Sequence, residues 1–179
     1  AQADGTTVYF EITATDLLAA TATTLEYDYT VADIPMLSLP YSNDFRTQAD
    51  YDQAENLGFT IANSSQQTGA GGYLRIEANG SLTSPLIDFS TLDAILFDFS
   101  MTSYGGFSNQ GLQISISEDG GNTFTDLDFY EASSSSSNYV DYTQFVDVST
   151  SNSTDGMIRV ALVPGTGSTS HVVRFRDME

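Results

Sequence analysis

Apolar residues recur at every second position through most of this chain, a period that suits strands and not helices. Leu25, Tyr27, Tyr29 and Val31 alternate with Glu26, Asp28 and Thr30. Ile95, Phe97, Phe99 and Met101 alternate with Leu96, Asp98 and Ser100, and Leu112, Ile114 and Ile116 with Gln113, Ser115 and Ser117. Ile158, Val160 and Leu162 form a further set, and Val173 and Phe175 the last. The pattern predicts more strands at Val8–Thr13, Leu57–Ala62, Tyr73–Ala78, Ser84–Phe89, Thr123–Phe129 and Tyr139–Val148. Turn signals separate them: Gly71-Gly72, Asn79-Gly80, Gly105-Gly106, Asp119-Gly120-Gly121, Asp155-Gly156 and Pro164-Gly165. Helical signal is scarce. Thr47–Asn56 reads as two turns with Thr47 as N-cap, and Asp16–Thr21 as one turn. The serine run Ser133–Ser137 reads as a solvated loop. Many short strands, glycine turns and no alternating helices predict an all-β antiparallel β-sandwich, with a jelly roll as its form. The pattern thickens after Ile34–Pro40. Residues 1–36 therefore read as a β extension or the tail of a preceding module, and 37–179 as the sandwich domain.

The 179 residues carry 24 acidic side chains against 5 basic ones, a formal charge of −19. All five cations are arginine; lysine and cysteine are absent. Such a charge repels phosphate backbones and excludes nucleic acid as a partner. Without cysteine there is no disulfide framework, thiolate metal site or cysteine nucleophile. No apolar run approaches the roughly 20 residues of a membrane-spanning helix. Hydrophobic residues make up 40% and aromatics 12%, enough to bury a core rather than stay disordered. A salt-adapted surface, millimolar calcium around a secreted protein, and lineage-wide composition bias all account for the acidity. All three favour an extracellular or cell-surface setting.

Catalytic chemistry finds little support. The single histidine, His171, falls in the last strand, and no nucleophile elbow accompanies it. There is no lysine for a Schiff base or a phosphate loop. Paired carboxylates for glycoside hydrolysis remain an alternative, but nothing singles out a pair among 24 acids. Carbohydrate binding would use exposed aromatic faces, for which Tyr104, Tyr130, Tyr139 and Tyr142 are the candidates.

From Pro40 onward the chain resembles the MAM-like jelly rolls of secreted bacterial proteins, including the choice-of-anchor J family and the cleaved-adhesin domains of gingipain-type proteases. The features run in order: Pro40-Tyr41-Ser42-Asn43-Asp44-Phe45, Ser84-Pro85-Leu86-Ile87-Asp88, Ile114–Phe124, and Val172–Glu179 as the closing strand. Phe124 stands where the family has tryptophan, and the closing acidic pair is reduced to Asp177 and Glu179 around Met178. The resemblance implies a metal where the first and last strands meet. Carried over by position, that names Asp44 and Asp177 as calcium ligands; the alternative is two solvated surface acids, or an Asp44–Arg46 or Asp177–Arg176 surface pair. Ser117–Phe124 also resembles the Asp-box turn, in which Asp119 caps backbone amides, Gly121 takes a positive φ, and Thr123 and Phe124 close the hairpin.

The leading expectation is a non-catalytic adhesion or carbohydrate-binding module of a secreted or cell-surface protein, with structural calcium. Its partner would be a glycan or another cell-surface protein. The alternative is a structural subunit of an extracellular filament or homo-oligomer. There, Leu25–Val31 or Val8–Thr13 would complete a neighbour's sheet by strand addition.

Overall fold

The computed structural model describes residues 36–103, 109–133, 138–166 and 171–179, with the backbone of four short strands between residues 7 and 30. Contacts divide the chain into Ala1–Ile34 and Pro35–Glu179. In the first unit, β1 (Thr7–Phe10) pairs antiparallel with β4 (Tyr27–Thr30), and β2 (Thr13–Thr15) with β3 (Thr21–Thr23). The two segments expected to add to a neighbour's sheet thus pair with each other, Thr7 opposite Thr30 and Phe10 opposite Tyr27. Of the helical turn expected at Asp16–Thr21, residues 16–20 lie outside the described residues, and Thr21 opens β3.

The second unit begins with the one predicted helix, α1 (Gln48–Asn56). Thr47 and Asp50 fix its start reciprocally. The Thr47 hydroxyl accepts from the Asp50 amide at 3.3 Å, and the Asp50 carboxylate accepts from the Thr47 amide at 2.7 Å. Eight strands follow: β5 (Thr60–Gln67), β6 (Tyr73–Thr83), β7 (Ala94–Ser103), β8 (Gly111–Ser117), β9 (Thr125–Glu131), β10 (Val140–Asp147), β11 (Met157–Val163) and β12 (Val172–Arg176). They form an antiparallel β-sandwich of jelly-roll type. The ladder runs β10-β7-β12-β6-β11-β8-β9, with β5 alongside β6.

β6 belongs to both layers. Its first half pairs with β12, Leu74 opposite Phe175 and Ile76 opposite Val173. Its last residues pair with β11, Leu82 opposite Val160. β5 follows it through the bend: Ser64 faces Ile76 and Ala62 faces Ser81, so Asn63 alone spans residues 77–80 of β6. Asn79-Gly80 is therefore not the hairpin turn that its sequence suggests. It is a corner within a continuous strand. Asn63 and Asn79 take left-handed φ values of 43° and 61°, which asparagine tolerates better than most residues. The Asn63 amide donates to the Asn79 carbonyl at 3.4 Å. Gly80 is required for closeness: a Cβ there would lie 2.7 Å from the carbonyl oxygens of Asn63 and Glu77.

The strand expected at Ser84–Phe89 is also replaced. Ser84–Ile87 is an extended connection making single bridges, Leu86 with Met36 and Ile87 with Gly156. Pro85 offers no amide to a ladder, and the Asp88 carboxylate accepts from the Ser90 amide at 3.1 Å, starting a 3-10 turn at Phe89–Thr91.

The alternating residues meet between the layers. Leu74, Ile76, Phe97, Phe99, Met101, Val173 and Phe175 come from one side, and Leu112, Ile114, Ile158, Val160 and Leu162 from the other. Phe99 is the centre of the aromatic packing, with ring centroids 5.3 Å from Phe97, 5.7 Å from Phe175 and 5.5 Å from Tyr142. Each such pair adds about 0.5–1.5 kcal/mol beyond the area it buries.

Gly80→Ala forces backbone atoms apart at the corner, and we expect a loss of roughly 1–3 kcal/mol, a fall in Tm of about 2–12 °C. Gly69→Ala, with nothing within 4 Å of the new Cβ, leaves Tm within about 1 °C. Thermal unfolding followed by circular dichroism checks both.

Candidate functional site

The residues named for a metal do come together. Asn43 and Met178 form an antiparallel bridge, each amide donating to the other's carbonyl at 2.8 and 2.9 Å, and the Asp177 amide donates to the Asp44 carbonyl at 3.3 Å. Phe45, fully buried, anchors this junction with its ring 6.0 Å from Phe175. The carboxylates, however, face guanidinium groups. Arg46 donates to Asp177 Oδ1 from Nη2 at 2.7 Å and from Nε at 3.2 Å. Arg176 Nε lies 3.0 Å from Asp177 Oδ2, and Arg46 Nε lies 3.8 Å from Asp44 Oδ2. Asp177 holds the Arg46 guanidinium above its ordinary pKa, chiefly through the hydrogen bond. Calcium takes six to eight oxygens. Among the described residues no three carboxylate or imidazole groups come together to hold a metal, and the Asp177 oxygens are already engaged. While Arg46 is in place, this donor set does not fit calcium.

The turn after β8 is closed by Asp119. Its carboxylate accepts from the Thr123 amide at 2.8 Å, the Thr123 hydroxyl at 2.7 Å and the Ser117 hydroxyl at 2.8 Å. Gly121 takes φ 86°, and its amide donates to the Ser117 hydroxyl at 2.9 Å. The Phe124 ring is capped by the Arg159 guanidinium, 3.9 Å from its centroid. These bonds, led by that from the Thr123 side chain, pull the Asp119 pKa from 3.8 to about 2. The turn orders β8 against β9 and is braced from outside the hairpin: the Gly120 amide donates to the Asp155 carbonyl at 3.0 Å, and the Ser153 hydroxyl to the Glu118 carbonyl at 2.7 Å.

The tyrosine candidates separate into three cases. Tyr104 lies outside the described residues. Tyr130 and Tyr142 turn their rings inward against the core and against each other, centroids 5.1 Å apart. The Tyr142 hydroxyl donates to the Glu131 carbonyl at 2.8 Å, and the Tyr130 hydroxyl to Gln144 Oε1 at 2.9 Å. They stitch β9 to β10 at the margin of the sandwich. Tyr139 lies beneath Arg176, whose guanidinium is 3.5 Å from the ring centroid. Its hydroxyl is buried without a hydrogen-bond partner among the described residues. Burial raises the Tyr139 pKa, against the opposing pull of Arg176 and Arg174.

Local sequence patterns did not reveal a cationic surface around Tyr139. On β6 and β12 the inward residues are Leu74, Ile76, Val173 and Phe175, so Arg75, Arg174 and Arg176 fall on the outer face. Arg75 stands directly opposite Arg174 in the register. Arg174 lies over the Tyr73 ring at 4.7 Å, and Arg75 Nε is 3.0 Å from Glu77 Oε1. With Arg46 joined to them through Asp177, four of the five basic residues of the chain gather here. Their outward phase is readable in the sequence, but their juxtaposition depends on a pairing register that it does not spell out. Ser65 and Gln67, opposite Arg75 and Tyr73, border the face, and Gln66 lies opposite the inward Leu74. The Gln66 side chain donates to the Arg46 carbonyl at 2.9 Å, and that of Gln67 to the Ser65 hydroxyl at 3.1 Å.

A second feature is an apolar cavity of about 500 Å³ lined by Leu37, Leu39, Leu82, Ile95, Ile158 and Met178. Within it the Ser84 hydroxyl donates to the Pro85 carbonyl and accepts from the Ile158 amide. His171 Nδ1 lies 3.1 Å from Gln110 Oε1, and the buried Gln110 amide donates to the Val172 carbonyl at 2.7 Å. This places the histidine in a polar contact at the start of β12. No helix among the described residues is long and apolar enough to cross a membrane.

No protein-family model and no curated protein sequence matches this chain. Solved structures do. A xylan-binding domain, CBM22-1, of Paenibacillus barcinonensis shares 8% identity over 77% of this chain and 90% of its own, with a TM-score of 0.50. The cleaved adhesin domain of Lys-gingipain from Porphyromonas gingivalis shares 12% over 77% and 95%, with a TM-score of 0.47. CBM35 from Paenibacillus barcinonensis shares 16% over 78% and 96%, with a TM-score of 0.42. At these identities the likeness concerns the sandwich fold.

Two measurements test this geometry. Calcium at a few millimolar should raise the wild-type Tm no more than sodium chloride of equal ionic strength, and Arg46→Gln should lower it by about 1–3 °C, as an exposed pair does. A calcium-specific rise in wild type would restore the metal. Asp119 has a depressed folded pKa, so its contribution to stability is present above the unfolded value of 3.8 and lost as pH falls toward 2. The Tm deficit of Asp119→Asn, measured by calorimetry from pH 6 to 2, should therefore be widest at pH 6 and shrink below pH 4.

Proposed function

We propose that the sandwich is a non-catalytic glycan-binding module, working in a secreted or cell-surface setting, and that the outer face of β6 and β12 is its binding surface. One observation carries this reading: two guanidinium planes are held against aromatic rings, Arg176 on Tyr139 and Arg174 on Tyr73. A sugar presents hydroxyl acceptors around an apolar ring face. Planar, five-donor guanidinium groups stacked on tyrosine match both, and packing on the ring reduces the entropy lost on binding. Gln67 and Ser65 extend the polar border. The cavity is a poorer choice, because its lining is mainly apolar and offers a sugar few polar groups to bind. A shared architecture with a xylan-binding domain and a cleaved adhesin domain agrees with this reading.

Affinity electrophoresis through gels containing soluble polysaccharides tests the proposal. Wild type should be retarded by at least one glycan. Tyr139→Ala should lose that retardation while keeping its far-ultraviolet circular dichroism. Retardation unchanged by Tyr139→Ala, or none by any polysaccharide, contradicts the assignment.

A further inference from the structure

The apolar cavity lies along an open edge of β7. Its lining includes Ile95 and Phe97, which point into the core, and also Leu96 and Asp98, which point out. A space that meets both faces of one strand lies at that strand's edge. Hydrogen bonding gives the phase of the edge. The Asp98 amide donates to the Glu179 carbonyl at 2.8 Å, and the Asp98 carbonyl accepts from the Glu179 amide at 2.9 Å. The Asp93 carbonyl is taken from the opposite side, by the Val148 amide at 3.1 Å. In an antiparallel ladder these directions alternate from residue to residue. The amide and carbonyl of Leu96 therefore face the cavity, on the side where Asp98 meets Glu179, and neither has a backbone partner there among the described residues.

The space is one strand wide. Asn43 bridges Met178 while Asp98 bonds Glu179, so a single line of chain separates the 37–43 segment from β7 at that level. Toward Leu96 the line is not continued among the described residues, and the cavity of about 500 Å³ stands in its place, between β7 and Leu37, Leu39 and Tyr41. Neighbouring strands lie about 4.7–4.9 Å apart, so flanks two positions apart leave room for one extended chain. Leu96, at the mouth, is 62% exposed. Asp98 and Glu179 stand opposite each other at its end, and among the described residues neither engages an arginine. The Asp98 carboxylate accepts from the Thr143 hydroxyl.

We infer that this slot binds an extended peptide of another protein, added as a strand antiparallel to β7, with an apolar–basic–apolar sequence. The middle residue sits opposite Leu96 and exchanges both backbone bonds with it. Side chains alternate along a strand, so the middle one points outward with Leu96, and its two neighbours enter the cavity toward Ile95, Phe97 and Leu82. The outward side chain lies diagonal to Asp98, roughly 7–8 Å away, within reach of a long side chain. The carboxylates of Asp98 and Glu179 make a cation the matching group. Main-chain bonds supply the affinity and the alternate pockets the selectivity. A second copy of this chain is a poor donor. Its own triplets of this kind, Leu74-Arg75-Ile76, Ile158-Arg159-Val160 and Val173-Arg174-Phe175, are committed to β6, β11 and β12. The slot is separate from the arginine–tyrosine face, and its assignment does not depend on glycan binding.

Titration of the nitrogen-15-labelled full chain with acetyl-Ser-Val-Arg-Val-Ser-amide and with its isomer acetyl-Ser-Val-Val-Arg-Ser-amide tests the inference. The two peptides have the same composition and charge, so general attraction to a chain of −19 acts equally on both. The alternating peptide should bind about tenfold tighter and shift amides at residues 37–41, 94–98 and 178–179. Leu96→Pro removes the amide that faces the cavity and no bond to β10, and should abolish the difference. The isomer comparison uses wild type, so it stands even where the proline disturbs the strand. Equal affinity for the two isomers, or shifts centred elsewhere, would overturn the inference and leave glycan binding intact.

Discussion

The structure depends on one strand serving two layers. Here β6 joins the two layers by bending at residues 77–80, while β5 bends with it at Asn63. The corner works because asparagine accepts the left-handed region and glycine permits backbone contact. From it follow the positions of both halves of the ladder. Leu74 and Ile76 point inward beside β12, Leu82 does the same beside β11, and the residues between the inward ones point out. Arg75 reaches the outer surface because Leu74 and Ile76 are committed to the core.

Charge is organised on that frame. Among the described residues most carboxylates stand in water, where salt screens their repulsion. The few arginines are concentrated where β6, β12 and the 43–46 segment meet. Asp177 ties the chain's opening segment to its closing strand through Arg46 and Arg176, a junction made of guanidinium and carboxylate on top of paired backbone amides. The exposed ion pairs add little individually; the buried Phe45 and the backbone bridge give the junction its strength. One set of arginines thus links the junction to the proposed binding surface.

Features written in local patterns were legible in the sequence. Period-two alternation marked most strands of the sandwich and its inward residues, the Thr47 cap marked α1, and Ser117–Phe124 marked a tight turn. What escaped depends on partners far apart in the chain. Asn79-Gly80 has the composition of a hairpin turn, and only its contact with Asn63 reveals a corner. Tyr130 and Tyr142 look like surface aromatics until β9 and β10 meet and turn them inward. For Asp44 and Asp177 the neighbouring Arg46 and Arg176 were legible as partners beside the calcium reading, but the Arg46–Asp177 contact joins residues 131 positions apart. Arg75 and Arg174 are 99 positions apart in sequence yet adjacent in the ladder.

The central claim is that the arginine–tyrosine face of β6 and β12 is where this protein meets its ligand. Amide chemical-shift mapping of the nitrogen-15-labelled chain, titrated with an oligosaccharide of a glycan that retards it in the gels, tests it most directly. The account predicts perturbations concentrated at residues 65–67, 73–77, 139 and 172–176, with the cavity lining around Leu37–Tyr41 and Ile95 unmoved. Perturbations centred on that cavity, or spread evenly over the surface, would contradict it.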